Sequence, residues 1–192
     1  MADSTPFKAE LARIARQENE ALGALCRGDQ ELEQRIEFYC STVAISATLC
    51  VKAHYSAVFI SWCMRSAGAS ESEFPAAAGH WQYARRALQN AKQGQGLFRA
   101  RVIESYAPQL GDVIHVNRDD GKVDYDRLRN GPYPYAAESG IVVGTREGEA
   151  LIVMGNQPPG GTVGSEKLAL DRSGLLVQRT TDPIICVIEV LK

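Results

Sequence analysis

"HYSAVFISWCMRSAG", residues 54–68, contains two candidate nucleophiles, Ser56 and Cys63, within one apparent helix. Counted from Ser56, the residues Phe59, Ile60, Cys63, Met64 and Ala67 recur at helical spacing and fall on one face. Gly68 is a residue type that closes helices. Cys63 lies two turns along the apolar stripe, where burial raises a thiol's pKa and makes it inert. Ser56 heads the same face. Free backbone N–H groups and the positive end of the helix dipole gather there, which favours an anion or an attacking oxygen. Serine is also among the best N-cap residues, so nucleophile and cap both stand as readings of Ser56.

Outward from this helix the chain divides by period. Residues 1–53 read as helical: "FKAELARIARQENEALGAL" sets Leu11, Ile14, Ala15, Leu22 and Leu25 near one face, and "QELEQRIEFYCSTVAIS" repeats the pattern with Asp29 as its N-cap. Residues 54–94 hold the Ser56 helix and a following one, "HWQYARRALQNAKQ", which ends near Gly94. Residues 111–192 change to short β-branched runs, "GDVIHVNR", "SGIVVGTR", "EALIVMGN", "GTVGSEKLAL" and "PIICVIEVLK", with a hairpin turn in "TREGEA". Residues 118–138 form a long irregular insert, a length that ordinarily binds something or moves. Helices first and an antiparallel sheet afterwards give an α+β order within a single domain over 1–192.

The 192 residues are enough for one core, and 45 % hydrophobic with 23 % charged is ordinary for a globular chain. A net charge of -2 offers no field to draw nucleic acid. No run of 18 apolar residues occurs, so no membrane span is expected. The polar start "MADSTPFKAELARIARQENE" lacks the apolar core of a secretory signal, and synthesis in the cytoplasm without a signal peptide is expected. The five cysteines, Cys26, Cys40, Cys50, Cys63 and Cys186, are odd in number and form no CxxC pair. They are expected to be small buried hydrophobes rather than a disulfide or zinc framework.

A helix opened by a nucleophile, then a small sheet opened by "GD", resembles the papain-like NlpC/p60 and CHAP families, whose nucleophile motif is similar to W-C-A-x-F-V-S-W. Tyr55, Ser56, Ala57, Val58, Phe59, Ile60, Ser61 and Trp62 stand in those places. The chain resembles still more closely a branch known as DUF 2272, which reads W-S-A-A-F-I-S-W-V-M-R and carries an F…H..Y element matched by Phe74, His80 and Tyr83. "GDVIHVNR" and "VMGNQPPGGTV" are similar to its later strands. The resemblance implies a papain-like NlpC/p60-type α+β fold and cleavage of peptide or amide bonds in bacterial cell walls. No cofactor is expected, and no metal site among His54, His80, His115, Asp112 and Glu138, because no ligand spacing such as HxxxH or HExxH occurs.

Carried over residue by residue, the resemblance puts Ser56 in the nucleophile's place. The family base is a histidine opening the second core strand, in a motif similar to H-x-x-I-V-V. Here "ESGIVVG" puts Glu138 in that place. A carboxylate takes a proton only where burial raises its pKa. His80 is the best substitute base. The family's polar orienter maps onto Asn156, which "GNQPPGG" equally explains as a turn residue. Tyr55, His54, Trp81, Tyr133 and Tyr135 are expected around the pocket, with the tyrosines of "GPYPY" and Trp81 as a rim for sugar or peptide or as a loop packed on the sheet. His115 alternates with Ile114 on a strand, so one of the two should face the core.

Two functions follow from the resemblance. One is a peptidoglycan amidase or peptidase with Ser56 as attacking group, a lysis factor or antibacterial effector delivered to the periplasm or another cell by a dedicated secretion system. Its partners would be peptidoglycan or a peptide, and a cognate immunity or secretion-system protein. The other is an inactive papain-like module that binds a peptide, glycan or protein.

Overall fold

A computed structural model describes residues 5–46, 48, 55–119, 121–131 and 133–192. His54 and Cys50 lie outside the described residues. Among the described residues, four longer helices come first: α1 (Pro6–Leu22), α2 (Gln30–Thr42), α3 (Ser56–Ser66) and α4 (His80–Gln93). Then follow β1 (Phe98–Arg101), β2 (Val113–Asn117), a short α5 (Tyr125–Asn130), β3 (Ala137–Arg146), β4 (Glu149–Gln157), β5 (Thr162–Ala169) and β6 (Ile184–Val190). The six strands form one antiparallel sheet in the order β1-β6-β2-β3-β4-β5. The α+β order holds.

Local signals explain most boundaries. Thr5 caps α1, its Oγ1 accepting the Lys8 N–H at 3.3 Å, and Pro6 occupies the first helical position. Gly94 closes α4 in the left-handed region. β3 and β4 pair through Arg146 and Glu149, so Glu147 and Gly148 form the hairpin turn, with Gly148 at a φ of 77°. Asp29 has the extended backbone of an N-cap, but its carboxylate accepts the Cys26 N–H at 2.7 Å rather than a helical one.

The central strands of the sheet are buried on both faces. Ile141, Val143 and Val153 join the helices in the larger core, while Ile114, Val142, Ile152 and Met154 pack with Ile103, Leu168, Leu176 and Ile184 in a smaller one. His115 and Ile114 are therefore both buried, against the expectation that only one would face a core. α3 lies over β3 and β4 and against α1 and α2. Phe59, Cys63 and Met64 are buried in these contacts. Tyr39 of α2 sets its ring 4.7 Å from Trp62 and 5.8 Å from Phe59.

Three expectations are corrected. Residues 118–138 are not wholly irregular. Asp124 accepts the Arg127 N–H at 2.7 Å and starts α5, whose Leu128 is buried. The strand β1 was not expected, because four residues of Phe-Arg-Ala-Arg are too few to show alternation; its pairing with β6 makes it a strand. The cysteines are not all buried hydrophobes. Cys63 and Cys186 are buried free thiols, Cys26 is an exposed one, and Cys40 is disulfide-bonded. An odd count does not exclude a single bridge.

Candidate active site

Two helix starts meet at the site. Tyr55 supplies the N-cap backbone of α3, so Ser56 is the first helical residue and its hydroxyl is not used as a cap. Gly79 precedes α4, and its N–H donates to Gln82 Oε1 at 3.0 Å, which fixes the first turn and makes His80 the first residue of that helix. The loop between them is pinned back on α3. Ser61 Oγ donates to the Ala57 carbonyl at 2.9 Å and accepts the Ala77 N–H at 3.1 Å. Gly155 of β4 permits close approach of the sheet, because a Cβ there would stand 2.9 Å from Phe59 Cβ and 3.2 Å from Ser56 Cα.

Ser56 Oγ lies 2.7 Å from His80 Nε2. The other ring nitrogen, Nδ1, is hydrogen-bonded to the Tyr83 hydroxyl one turn along α4. Phe74 packs on the Tyr83 ring at 5.3 Å, so the residues of the F…H..Y element work as a unit: Phe74 sets Tyr83, and Tyr83 sets His80. Glu138, at the start of β3, brings Oε1 to 3.1 Å from His80 Nε2. Its other oxygen, Oε2, accepts from Arg118 Nη1 at 2.6 Å. The side chains of His80 and Glu138 are each 6 % exposed, and Ser56 is 1 % exposed.

Ser56, His80 and Arg118 open onto a cavity of about 240 Å³, lined also by Gly79, Trp81 and Tyr135 among others. A larger cleft of about 850 Å³ lies beyond it and shares Arg118 and Asp119; Glu138, Glu166, Arg179 and Asp182 also line it. Trp81, Tyr133 and Tyr135 form a row, with ring centroids 5.6 Å and 5.9 Å apart, and Arg85 lies over Tyr133 at 4.9 Å. Tyr135 is joined to the interior through its hydroxyl, 2.9 Å from His115 Nε2, while His115 Nδ1 lies 2.9 Å from Ser139 Oγ. Burial, reinforced by the nearby His80, lowers the His115 pKa to about 3, so its ring is neutral at ordinary pH.

The expected residues are thus sorted by the fold. Ser56, His80 and Glu138 come together, with Trp81 and Tyr135 on the same cavity and Tyr133 behind them. Asn156 does not serve the ring, whose nitrogens face Ser56, Glu138 and Tyr83. It lies near the end of β4, where the pairing with β5 shifts register between Met154 and Gln157, and takes a φ of 58° there, near Gly161. Tyr55 does not line the cavity either. It is fully buried, and its hydroxyl donates to the Gly161 carbonyl at 3.1 Å. Burial also holds the Cys63 thiol far from ionisation. Sequence reasoning missed Arg118 and the orienting role of Tyr83. The first stood in an insert with no pattern, and the second was visible only as part of a motif. Asp112 of the "GD" pair is structural: it accepts from Lys8 at 2.9 Å, Tyr106 at 2.9 Å and the Val190 N–H at 3.0 Å.

The fold and site define an α+β protein with a buried serine–histidine–carboxylate cluster at the meeting of two helix starts. The chain belongs to the family described as "Uncharacterized protein conserved in bacteria (DUF2272)", which matches residues 30–186, from α2 into β6. Comparison with curated proteins and with solved structures gives no match.

Proposed function

We propose that this chain is an acyl-transfer hydrolase with a papain-like arrangement, an amidase or peptidase acting on peptide or amide bonds of peptidoglycan. The observation that carries the reading is the 2.7 Å contact between Ser56 Oγ and His80 Nε2 at a helix N-terminus. A serine needs a positioned base, and the base needs an orienting group. Here His80 is the base and Tyr83, on Nδ1, orients it. Backbone N–H groups of the first turn of α3 would hold the oxyanion on the attacked carbonyl. The aromatic row beside the cavity suits a sugar or a peptide. The family resemblance of the α3 motif supplies the cell-wall substrate.

The Cys40 disulfide supports an oxidising destination such as the periplasm, reached through a dedicated secretion system. A protein of that kind would meet a cognate immunity protein.

A second reading is a wall-binding module without turnover. It is favoured by the near-complete burial of Ser56, which leaves the hydroxyl little open surface. Digestion of purified peptidoglycan by wild type and by Ser56→Ala, with mass analysis of released fragments, separates the two. Fragments from wild type alone support the serine hydrolase. Equal release from both removes Ser56 from the mechanism, and wall binding with no release from either favours the module.

A further inference from the structure

Among the described residues, Glu138 Oε1 is a buried side-chain oxygen that makes no hydrogen bond. A buried acceptor left without a donor is unfavourable, and a charged one more so. The oxygen is 3.1 Å from His80 Nε2, yet the nitrogen is aligned with Ser56 Oγ at 2.7 Å instead. Three heteroatoms therefore surround one exchangeable proton. While Nε2 accepts the Ser56 hydroxyl, nothing donates to Oε1. When Nε2 carries the proton, an N–H cation stands against a carboxylate oxygen.

We propose that Glu138, clamped by Arg118, is the counter-ion that holds the proton His80 takes from Ser56, and is not the base that takes it. The proposal rests on the hydrolase reading for the origin of that proton. In the step, Ser56 Oγ bonds to the acyl carbon and its proton passes to Nε2. The imidazolium then pairs with Glu138 Oε1 across the 3.1 Å gap. As the C–N bond breaks, Nε2 returns the proton to the leaving nitrogen, and a water reverses the sequence to free Ser56. Arg118 Nη1, 2.6 Å from Oε2, orients the carboxylate and draws part of its field away from the ring. A carboxylate with no such clamp would hold the imidazolium more tightly and release the proton less readily.

The groups facing His80 are Ser56 from α3, Tyr83 from α4 and Glu138 from β3, with Arg118 behind Glu138. His115 of β2 acts on the same region from farther off. Glu138 is the acid of this set. Removing it and removing its clamp must therefore act in opposite directions on the His80 ring, which a purely structural role would not produce.

The experiment is an NMR pH titration of the His80 ring nitrogens in wild type, Glu138→Gln and Arg118→Gln, beside digestion of purified peptidoglycan by the same proteins. Glu138→Gln is expected to lower the ring's midpoint by about one pH unit, and Arg118→Gln to raise it. Glu138→Gln should also reduce kcat by about 10- to 100-fold with KM little changed. Midpoints that stay fixed, or move together, overturn the proposal. If Glu138→Gln fails to fold, Arg118→Gln decides alone, and a midpoint that stays or falls overturns it. If the midpoints move as stated while wild type releases no fragments, the hydrolase reading fails and the counter-ion pair stands.

Discussion

His80 and His115 are both nearly or wholly buried histidines near one another, and their surroundings give them different work. His80 has its two nitrogens on Ser56 and Tyr83, at the wall of a cavity. His115 has its two nitrogens on Ser139 and Tyr135 inside the protein, and burial lowers its pKa from 6.5 to about 3. The sign of the linkage follows. Between these values the unfolded chain binds a proton that the folded chain refuses, so unfolding is favoured as pH falls. The stability contributed by His115 is complete above pH 6.5 and is lost progressively toward pH 3. Urea midpoints measured across that window should fall with pH in wild type. In His115→Gln, which has no ring to protonate, the slope should be shallower by the share of one proton. Equal slopes would mean that other groups dominate the acid response. Sequence alternation placed His115 on a strand, but one strand cannot say which neighbours reach both nitrogens. That took the pairing of His115 with Ser139 across β2 and β3.

At the scale of the element, α3 was the most legible part of the chain. Its apolar stripe, its start near Ser56 and the burial of Cys63 and Met64 all followed from spacing alone. The stripe is also what sets Ser56 in place. Phe59 is fully buried, with Tyr39 on one side and the close-packed backbone of Gly155 on the other. Phe59→Ala should destabilise the fold by about 3–5 kcal/mol, through lost burial and the cavity left behind. Chemical denaturation would measure it, and a loss below about 1 kcal/mol would mean that α3 is held elsewhere. The irregular segments were less legible. The helix α5 depends on a single Asp124 cap and one buried leucine, too little pattern to outweigh the glycines and prolines around it. The pinning of the loop before α4 by Ser61 was not legible at all, since a mid-helix serine has many possible partners.

Over the whole molecule, Asp112 ties together parts of the chain that are far apart in sequence. Its carboxylate takes Lys8 from α1, Tyr106 and the Gln109 N–H from the segment before β2, and the Val190 N–H from β6. Burial pushes its pKa up, and Lys8 pulls it partly back. Gly111 beside it has a φ of 82°, and a Cβ there would stand 2.7 Å from the Lys8 backbone, so α1 lies directly on this turn. Asp112→Ala would leave Lys8 buried without its carboxylate. It should cost about 3–5 kcal/mol in unfolding experiments, with any hydrolytic activity lost only as far as the fold is lost. A change of less than 1 kcal/mol would show that Lys8 finds water instead.

The sequence by itself determined what local chemistry determines. Apolar spacing gave α1 to α4, β-branching and turn residues gave the main strands, and the resemblance of the α3 motif put a candidate site at the serine that heads it. It also determined that Cys63 would be inert, because a position on the buried stripe is enough to desolvate a thiol. Only the tertiary structure decided which groups surround Ser56. His80 comes from the next helix, Glu138 from a strand more than 50 residues further on, and Arg118 from the insert between them. A base is defined by distance and by the direction of its lone pair. Both depend on the packing of α3 and α4 against β3, which no spacing along the chain records.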